Sequence, residues 1–243
     1  MRYAIISDIH ANPSALALAL ADARQHDVES IVCLGDVVGY GPDPAGAVEL
    51  CRSSCDVTLM GNHDAAVAGV IRTDNFIPFA KKGVKRHAAE LGEEDKAWLR
   101  GLQYLYKGPD FACVHGTPFK PECFFYMHDP QQVMLTLEYL INEGIHLIFV
   151  GHTHHACSYM MASSGHFKID GPKVDLTLAP DNLYIVNAGS VGYPRADHDI
   201  TYVLYDSEAR TVKFRHLPFD FKAYAESLTA KEIALPLWLS DLL

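Results

Sequence analysis

The stretch Arg2-Tyr3-Ala4-Ile5-Ile6-Ser7-Asp8-Ile9-His10-Ala11-Asn12-Pro13 opens the chain as an apolar run of strand length that ends in Asp8 and His10. Arg2 to Ser7 reads as a buried first strand. Asn12-Pro13 then supplies an N-cap with proline at the first helical position. Leu16, Ala19, Leu20 and Ala23 recur at helical spacing, which predicts a helix to about His26. Ser30 to Leu34 is the next strand and stops at Gly35-Asp36, closing a βαβ unit.

Working outward, the pattern repeats. Asp43-Pro44 starts a second helix through about Arg52, and Val57 to Met60 is a third short strand before Gly61. Phe76 to Leu102, rich in Ala, Lys, Glu and Leu, reads as two helices broken near Gly92. Phe111 to Val114 is a strand ending at His115, Pro130 to Asn142 a helix, and Ile145 to Val150 a strand ending at Gly151-His152. Beyond this point Ala156 to Met161, Phe167 to Ile169, Val174 to Leu178, Leu183 to Asn187, Thr201 to Asp206 and Thr211 to Leu217 read as short strands in antiparallel hairpins. A mixed first half and a β-rich second half predict an α/β protein with two sheets packed face to face, helices outside, in one domain over 1–243.

Composition narrows the function classes. Of 243 residues, 49% are hydrophobic and 21% charged, which is an ordinary globular balance and excludes disordered and fibrous classes. Twenty Lys+Arg against thirty Asp+Glu give a formal charge of −10, so long nucleic acid is disfavoured as a partner. The six cysteines show no paired CxxC spacing and several sit in apolar runs, which fits a reduced, cytoplasmic setting. The run after Met1-Arg2 is too short for a signal sequence or a membrane span.

Five short stretches end apolar runs with metal-binding side chains: Asp8-Ile9-His10, Gly35-Asp36, Gly61-Asn62-His63-Asp64, His115-Gly116 and Gly151-His152-Thr153-His154. Two carboxylates, an amide and several imidazoles are the donor set that two neighbouring cations require. Asp8 and His10 flank one residue, and in an extended segment such residues point the same way. An Asp after a strand is also an ordinary turn residue, so the weight lies on the joint recurrence. Asp36 is the expected bridge, since a carboxylate has two oxygens and offsets the repulsion of two cations. Asn62 offers an amide oxygen, His63 stays free to protonate a leaving group, and Asp64 is expected to orient the His63 ring. His152 and His154, two apart, let one strand end feed two ions, and His115 adds another imidazole.

Taken in this order, the five blocks resemble the calcineurin-like metallophosphoesterase superfamily over residues 1 to about 205. Asp8-Ile9-His10-Ala11-Asn12, Leu34-Gly35-Asp36-Val37-Val38-Gly39-Tyr40-Gly41-Pro42 and Asn187-Ala188-Gly189-Ser190-Val191-Gly192 are similar to its small bacterial and archaeal phosphodiesterase-like branch. The resemblance implies a four-layer α/β/β/α sandwich. It implies one metal held by Asp8, His10, Asp36 and His154, a second by Asp36, Asn62, His115 and His152, and His63 as proton donor. Cys157 and Ala188 stand where that family frequently has proline, which puts local loop geometry in question but removes no ligand.

Two cations sharing a water lower its pKa, supply the nucleophile and neutralise charge on the phosphoryl oxygens. Oxygen and imidazole donors without thiolate suit Mn²⁺ or an Fe-containing pair, with Zn²⁺, Ni²⁺ and Co²⁺ also compatible. The expected activity is hydrolysis of a small or nucleotide-like phosphodiester. A phosphomonoesterase or protein phosphatase is the enzymatic alternative, and a non-catalytic scaffold the contrasting class, disfavoured because every ligand and His63 are present. Asn12, Tyr40, Tyr126, Tyr193 and Arg195 are candidates to meet substrate. Arg195 can clamp a phosphate with two hydrogen bonds, or it can be solvated or paired with Asp197 and Asp199. Phe124, Phe125 and Tyr126 read as a substrate cap, a homo-oligomer interface or core, and the sequence leaves these open.

Overall fold

Strand β1 (Arg2–Ile6) is apolar on both faces because each face has its own core. In the computed structural model, which describes residues 1–195 and 199–240, Tyr3 and Ile5 join one core and Ala4 and Ile6 the other, as the alternation of a strand requires. There follow α1 (Pro13–Arg24), β2 (Ser30–Cys33), α2 (Pro44–Ser54), β3 (Val57–Thr58), α3 (Asn62–Val67), α4 (Pro78–Glu90) and α5 (Glu93–Arg100). Next come β4 (Leu105–Lys107), β5 (Ala112–Val114), α6 (Pro130–Glu143), β6 (Leu147–Val150), β7 (Cys157–Met161), β8 (Phe167–Asp170) and β9 (Leu176–Thr177). The chain closes with β10 (Leu183–Asn187), β11 (Ile200–Asp206), β12 (Thr211–Leu217), α7 (Phe221–Ala230) and α8 (Leu237–Ser240). Asp197, considered above as a partner of Arg195, lies outside the described residues.

Two six-stranded mixed sheets result, in the orders β3-β2-β1-β11-β12-β9 and β4-β5-β6-β10-β7-β8. β1, β2 and β3 are parallel, and β11 runs antiparallel to β1. β5, β6 and β10 are parallel, flanked by the antiparallel β4 and β7. Tyr3, Ile5, Val32 and Val203 of the first sheet meet Cys113, Phe149 and Val186 of the second between the sheets. On the far side of the first sheet, Ala4, Ile6, Cys33 and Tyr202 are covered by Leu16 and Leu20 of α1, Val48 and Cys51 of α2, and Phe221 and Leu228 of α7. On the far side of the second, Ile148, Val150 and Ile185 are covered by Val133, Leu137 and Leu140 of α6. The layers are therefore α/β/β/α, as the pattern of elements predicts.

The differences from expectation are local. Leu183–Asn187 is not simply a hairpin strand: it lies parallel to β6, with Tyr184 opposite Leu147, as well as antiparallel to β7. Alternation of apolar residues marks a strand but not its neighbours, which long-range pairing selects. Helix α7 and the three-residue β4 were outside the sequence expectation. For α7 the signal is present, since Asp220 caps it by accepting from the Ala223 amide at 2.9 Å, and Phe221, Tyr224, Ala225 and Leu228 recur at helical spacing. No helix among the described residues is long and apolar enough to cross a membrane.

Candidate metal centre

The parallel strands of both sheets deliver their C-terminal ends to one place. β1 leads to Asp8 and His10, β2 to Asp36, β5 to His115, β6 to His152 and His154, and the loop after β3 to Asn62 and His63. Backbone hydrogen bonds tie these loops to one another: Asp8 N–H donates to Gly35 O at 3.0 Å, His10 N–H to Asp36 O at 2.9 Å, and Gly192 N–H to Asp8 O at 3.0 Å. The turn after β10 braces both sheets. The Ser190 hydroxyl donates to Asp8 O at 2.8 Å, and the Asn187 amide donates to Gly151 O at 2.8 Å and Thr153 Oγ1 at 3.0 Å.

Five of the seven expected ligands occupy left-handed backbone: Asp8, His10, Asp36, His152 and His154 have φ between 48° and 67°. Such conformations cost on the order of 1–3 kcal/mol each for non-glycine residues and persist only where the surroundings enforce them. Here the cross-loop hydrogen bonds enforce them. Gly61 allows a close approach of two loops, because a Cβ there would lie 2.1 Å from Asp36 Oδ1.

The side chains converge as two donor clusters. Asp8 Oδ1 lies 3.2 Å from His154 Nε2 and 3.6 Å from His10 Nε2. Asp36 Oδ2 lies 3.7 Å from His10 Nε2 and 3.4 Å from His115 Nε2, so this single oxygen faces both clusters. The second cluster is completed by His152: a ring nitrogen of His152, a ring nitrogen of His115 and a carboxylate oxygen of Asp36 all lie within 4.8 Å of one another. Asp36 Oδ1 does not face the clusters; it accepts the His63 amide at 2.8 Å. Asp36 thus turns one oxygen toward both clusters, where the sequence reading expects two.

Asp8 Oδ1, Asn62 Oδ1, His115 Nε2 and His152 Nε2 are buried and have no hydrogen-bond partner among the described residues. Four orphaned acceptor atoms in one buried patch fit two cations, since such atoms are costly unless something positive fills the gap. The rings are held in fixed orientations. Nδ1 of His10, His115 and His154 meets the carbonyls of Val38, Leu34 and Tyr193 at 3.1, 3.0 and 2.6 Å. With Nδ1–H donating there, Nε2 of each ring is the nitrogen that faces the site.

Electrostatics sets protonation. Burial would raise the Asp36 carboxyl, but the surrounding imidazoles, His115 foremost, outweigh it and hold it well below the usual carboxylate range. Burial pushes His154 down to about 4 and His152 well below the ordinary imidazole value, so both are neutral donors. His115 goes the other way: burial would depress it, yet Asp36 outweighs burial, with Asp8 and Asp64 adding to it, and raises it to about 9.

His63 sits beside this centre, its ring 4.9 Å from His10 edge-on and 4.6 Å from Tyr40. A ring nitrogen of His63 also falls within 4.8 Å of donor atoms of His10 and Asp36. Asp64 does not orient the His63 ring. Its two oxygens accept the backbone amides of Val38 at 3.1 Å and Gly61 at 3.0 Å, and burial together with the nearby Asp36 charge pushes it up to about 8. It is a brace between the second and third loops. Asn12 does not line the cleft described below: its Oδ1 caps α1 at the Ala15 amide (3.1 Å), and its amide donates to Gly192 O at 3.3 Å. Tyr40, Tyr126, Tyr193 and Arg195 do line a cleft of about 580 Å³ above Asn62, His63 and His152.

One contributor to the site, His87, is not among the residues that the sequence analysis singles out. Buried on α4, it accepts the Gly39 amide at Nδ1 (2.9 Å), so its Nε2–H donates to Gly41 O at 3.0 Å. Burial keeps this ring neutral, with its pKa down at about 3. His87 so fixes the loop that carries Gly39, where a Cβ would lie 2.2 Å from His63 Nδ1.

A family model for the calcineurin-like phosphoesterase superfamily domain matches residues 1–210. The chain belongs to the calcineurin-like phosphoesterase superfamily. It is 31% identical to an uncharacterized protein of Methanocaldococcus jannaschii over 98% of this chain and 95% of that one. It is similar to a metallophosphoesterase from Sphaerobacter thermophilus, 31% identical with TM-score 0.82 over 99% and 97% of the two chains. A hypothetical protein from Pyrococcus horikoshii shares the fold at 20% identity, TM-score 0.76, over 99% and 96%. The two departures from the superfamily pattern leave the frame intact. Ala188 N–H donates to Val150 O at 2.9 Å, a bond proline would forfeit, and Cys157 opposes Asn187 in the ladder.

A cation at the second cluster would compete with a proton for His115 Nε2. Metal uptake should therefore release at least one proton near neutrality, and affinity should rise with pH by up to about tenfold per unit until about pH 9. Calorimetric titration with Zn²⁺ in two buffers of different ionisation enthalpy counts the protons; none released at pH 7 would contradict the assignment.

Proposed function

We propose that the chain is a metal-dependent phosphodiesterase acting on a small or nucleotide-like phosphoester, with Mn²⁺ or an Fe-containing pair. The observation that carries this reading is the patch of orphaned buried donors, of which Asn62 and His152 line a cleft that also holds His63. Asp8, His10, Asp36 and His154 would hold one cation, and Asp36, Asn62, His115 and His152 the second. When bound, the cations supply Lewis-acid charge and lower the pKa of coordinated water.

The residues of the chain do the rest. Rigid loops place the phosphate against the centre, and Arg195, exposed at the cleft, brings a guanidinium to its oxygens. His63 is positioned to give a proton to the departing oxygen. Burial pushes its imidazole down to about 3 in the free protein, so it is neutral until a phosphate anion beside it favours the imidazolium. The cleft volume suits a small ester, and the acidic balance of the chain argues against a long polyanion.

Reconstitution with Mn²⁺ followed by assays on bis-p-nitrophenyl and mono-p-nitrophenyl phosphate tests this directly. Two metals per chain and at least about tenfold faster diester turnover are expected. Preference for the monoester would replace the reading with a phosphomonoesterase. A fully loaded protein inert on both would favour a scaffold.

A further inference from the structure

The cleft is walled by aromatic rings. Tyr126 stacks on His152 with centroids 3.9 Å apart and planes at 18°, and it remains 43% exposed. On another wall Trp238 packs edge-on against Tyr193 at 5.2 Å, Tyr193 stacks on Tyr40 at 4.3 Å, and Tyr40 lies 4.6 Å from both His10 and His63. A continuous aromatic row therefore runs from the C-terminal helix α8 to the metal-side imidazoles.

Trp238 lies beyond residues 1–210, which the family model matches. Its seat is prepared by the last segment of the chain. Phe221 of α7 meets the Trp238 ring at 5.4 Å and 87°, and Phe221, Tyr224 and Leu228 anchor that helix in the core. Helix α8 buries Leu239 and leaves Leu237 84% exposed, while Trp238, half-buried, packs against the core and also lines the cleft rim. Trp238 faces the same cavity as Arg195 and Phe76.

We infer that Trp238 is a specificity-determining residue that, with Tyr126, selects phosphoesters carrying a planar aromatic group, such as a nucleobase, over alkyl esters of equal charge. The inference rests on the phosphodiesterase reading for its kinetic form. An aromatic wall rewards a flat π-face by stacking, whereas an alkyl group gains only dispersion contact. The guanidinium of Arg195 on the same wall serves the phosphate and is indifferent to the ester group.

Two esters with one leaving group isolate the effect: thymidine 5′-(p-nitrophenyl phosphate) and methyl p-nitrophenyl phosphate. Trp238→Ala should lose about tenfold in kcat/KM on the nucleoside ester and less than about twofold on the methyl ester, with Trp238→Phe restoring most of the difference. Equal losses on both esters at unchanged metal content would overturn the inference. A binding measurement stands apart from catalysis. The chain has two tryptophans, so in a Trp98→Phe background the emission reports Trp238 alone. AMP should quench it and ribose 5-phosphate should not; identical responses to the two would sink the proposal even in a fully active enzyme. Inactivity on both esters would overturn the phosphodiesterase reading, while the titration would still decide the role of Trp238.

Discussion

Asp36→Asn should reduce bound metal from two ions to at most one per chain and lower diester turnover at least about a hundredfold. The substitution keeps the shape of the side chain, and its amide oxygen can still accept the His63 N–H that Asp36 Oδ1 takes at 2.8 Å. What changes is the other position. Oδ2, which faces His10 Nε2 at 3.7 Å and His115 Nε2 at 3.4 Å, becomes an uncharged N–H donor aimed at two sites that require lone pairs. Elemental analysis beside circular dichroism separates loss of metal from loss of fold. Two metals and an undiminished rate would remove Asp36 from the bridging position.

His63→Ala should slow hydrolysis of an alkyl phosphodiester by about 10²–10⁴-fold, yet slow a p-nitrophenyl diester far less, because nitrophenolate leaves without a proton. Metal content should stay at two per chain. That second measurement matters because a His63 nitrogen lies close enough to His10 and Asp36 to be counted as a ligand. Loss of one metal would make His63 a ligand, and equal loss on both substrates would end its assignment as an acid. His63 is buried against Gly39 and Tyr40, so His63→Gln provides a variant that keeps most of the volume.

Much of this centre was legible in the linear order of residues. Each ligand block ends an apolar run, and the end of a strand is a local event that alternation, Gly and Pro reveal. The α/β/β/α layering followed from the same pattern, because apolar runs such as Ala4 to Ile6 and Ile148 to Val150 need cover on both faces. The pairing of β10 with β6 did not follow, nor did the role of His87, which acts on a loop 46 and 48 residues away. Asp64 and Asn12 both have their side chains committed to backbone amides. Short polar side chains cap and brace backbone as readily as they meet ligands, and only the location of the nearest amide decides.

The sequence by itself determined the donor types, their order and the strands that carry them, since these depend on neighbours within a few residues. The tertiary structure decided which oxygen of Asp36 serves both clusters, which histidine nitrogen is left free, and which residues are held at positive φ. Those outcomes depend on contacts such as His115 Nδ1 with Leu34 O, 81 residues apart, and Ser190 with Asp8 O, 182 apart. A strained backbone survives only where such distant partners over-determine it, and no local pattern encodes where they will meet.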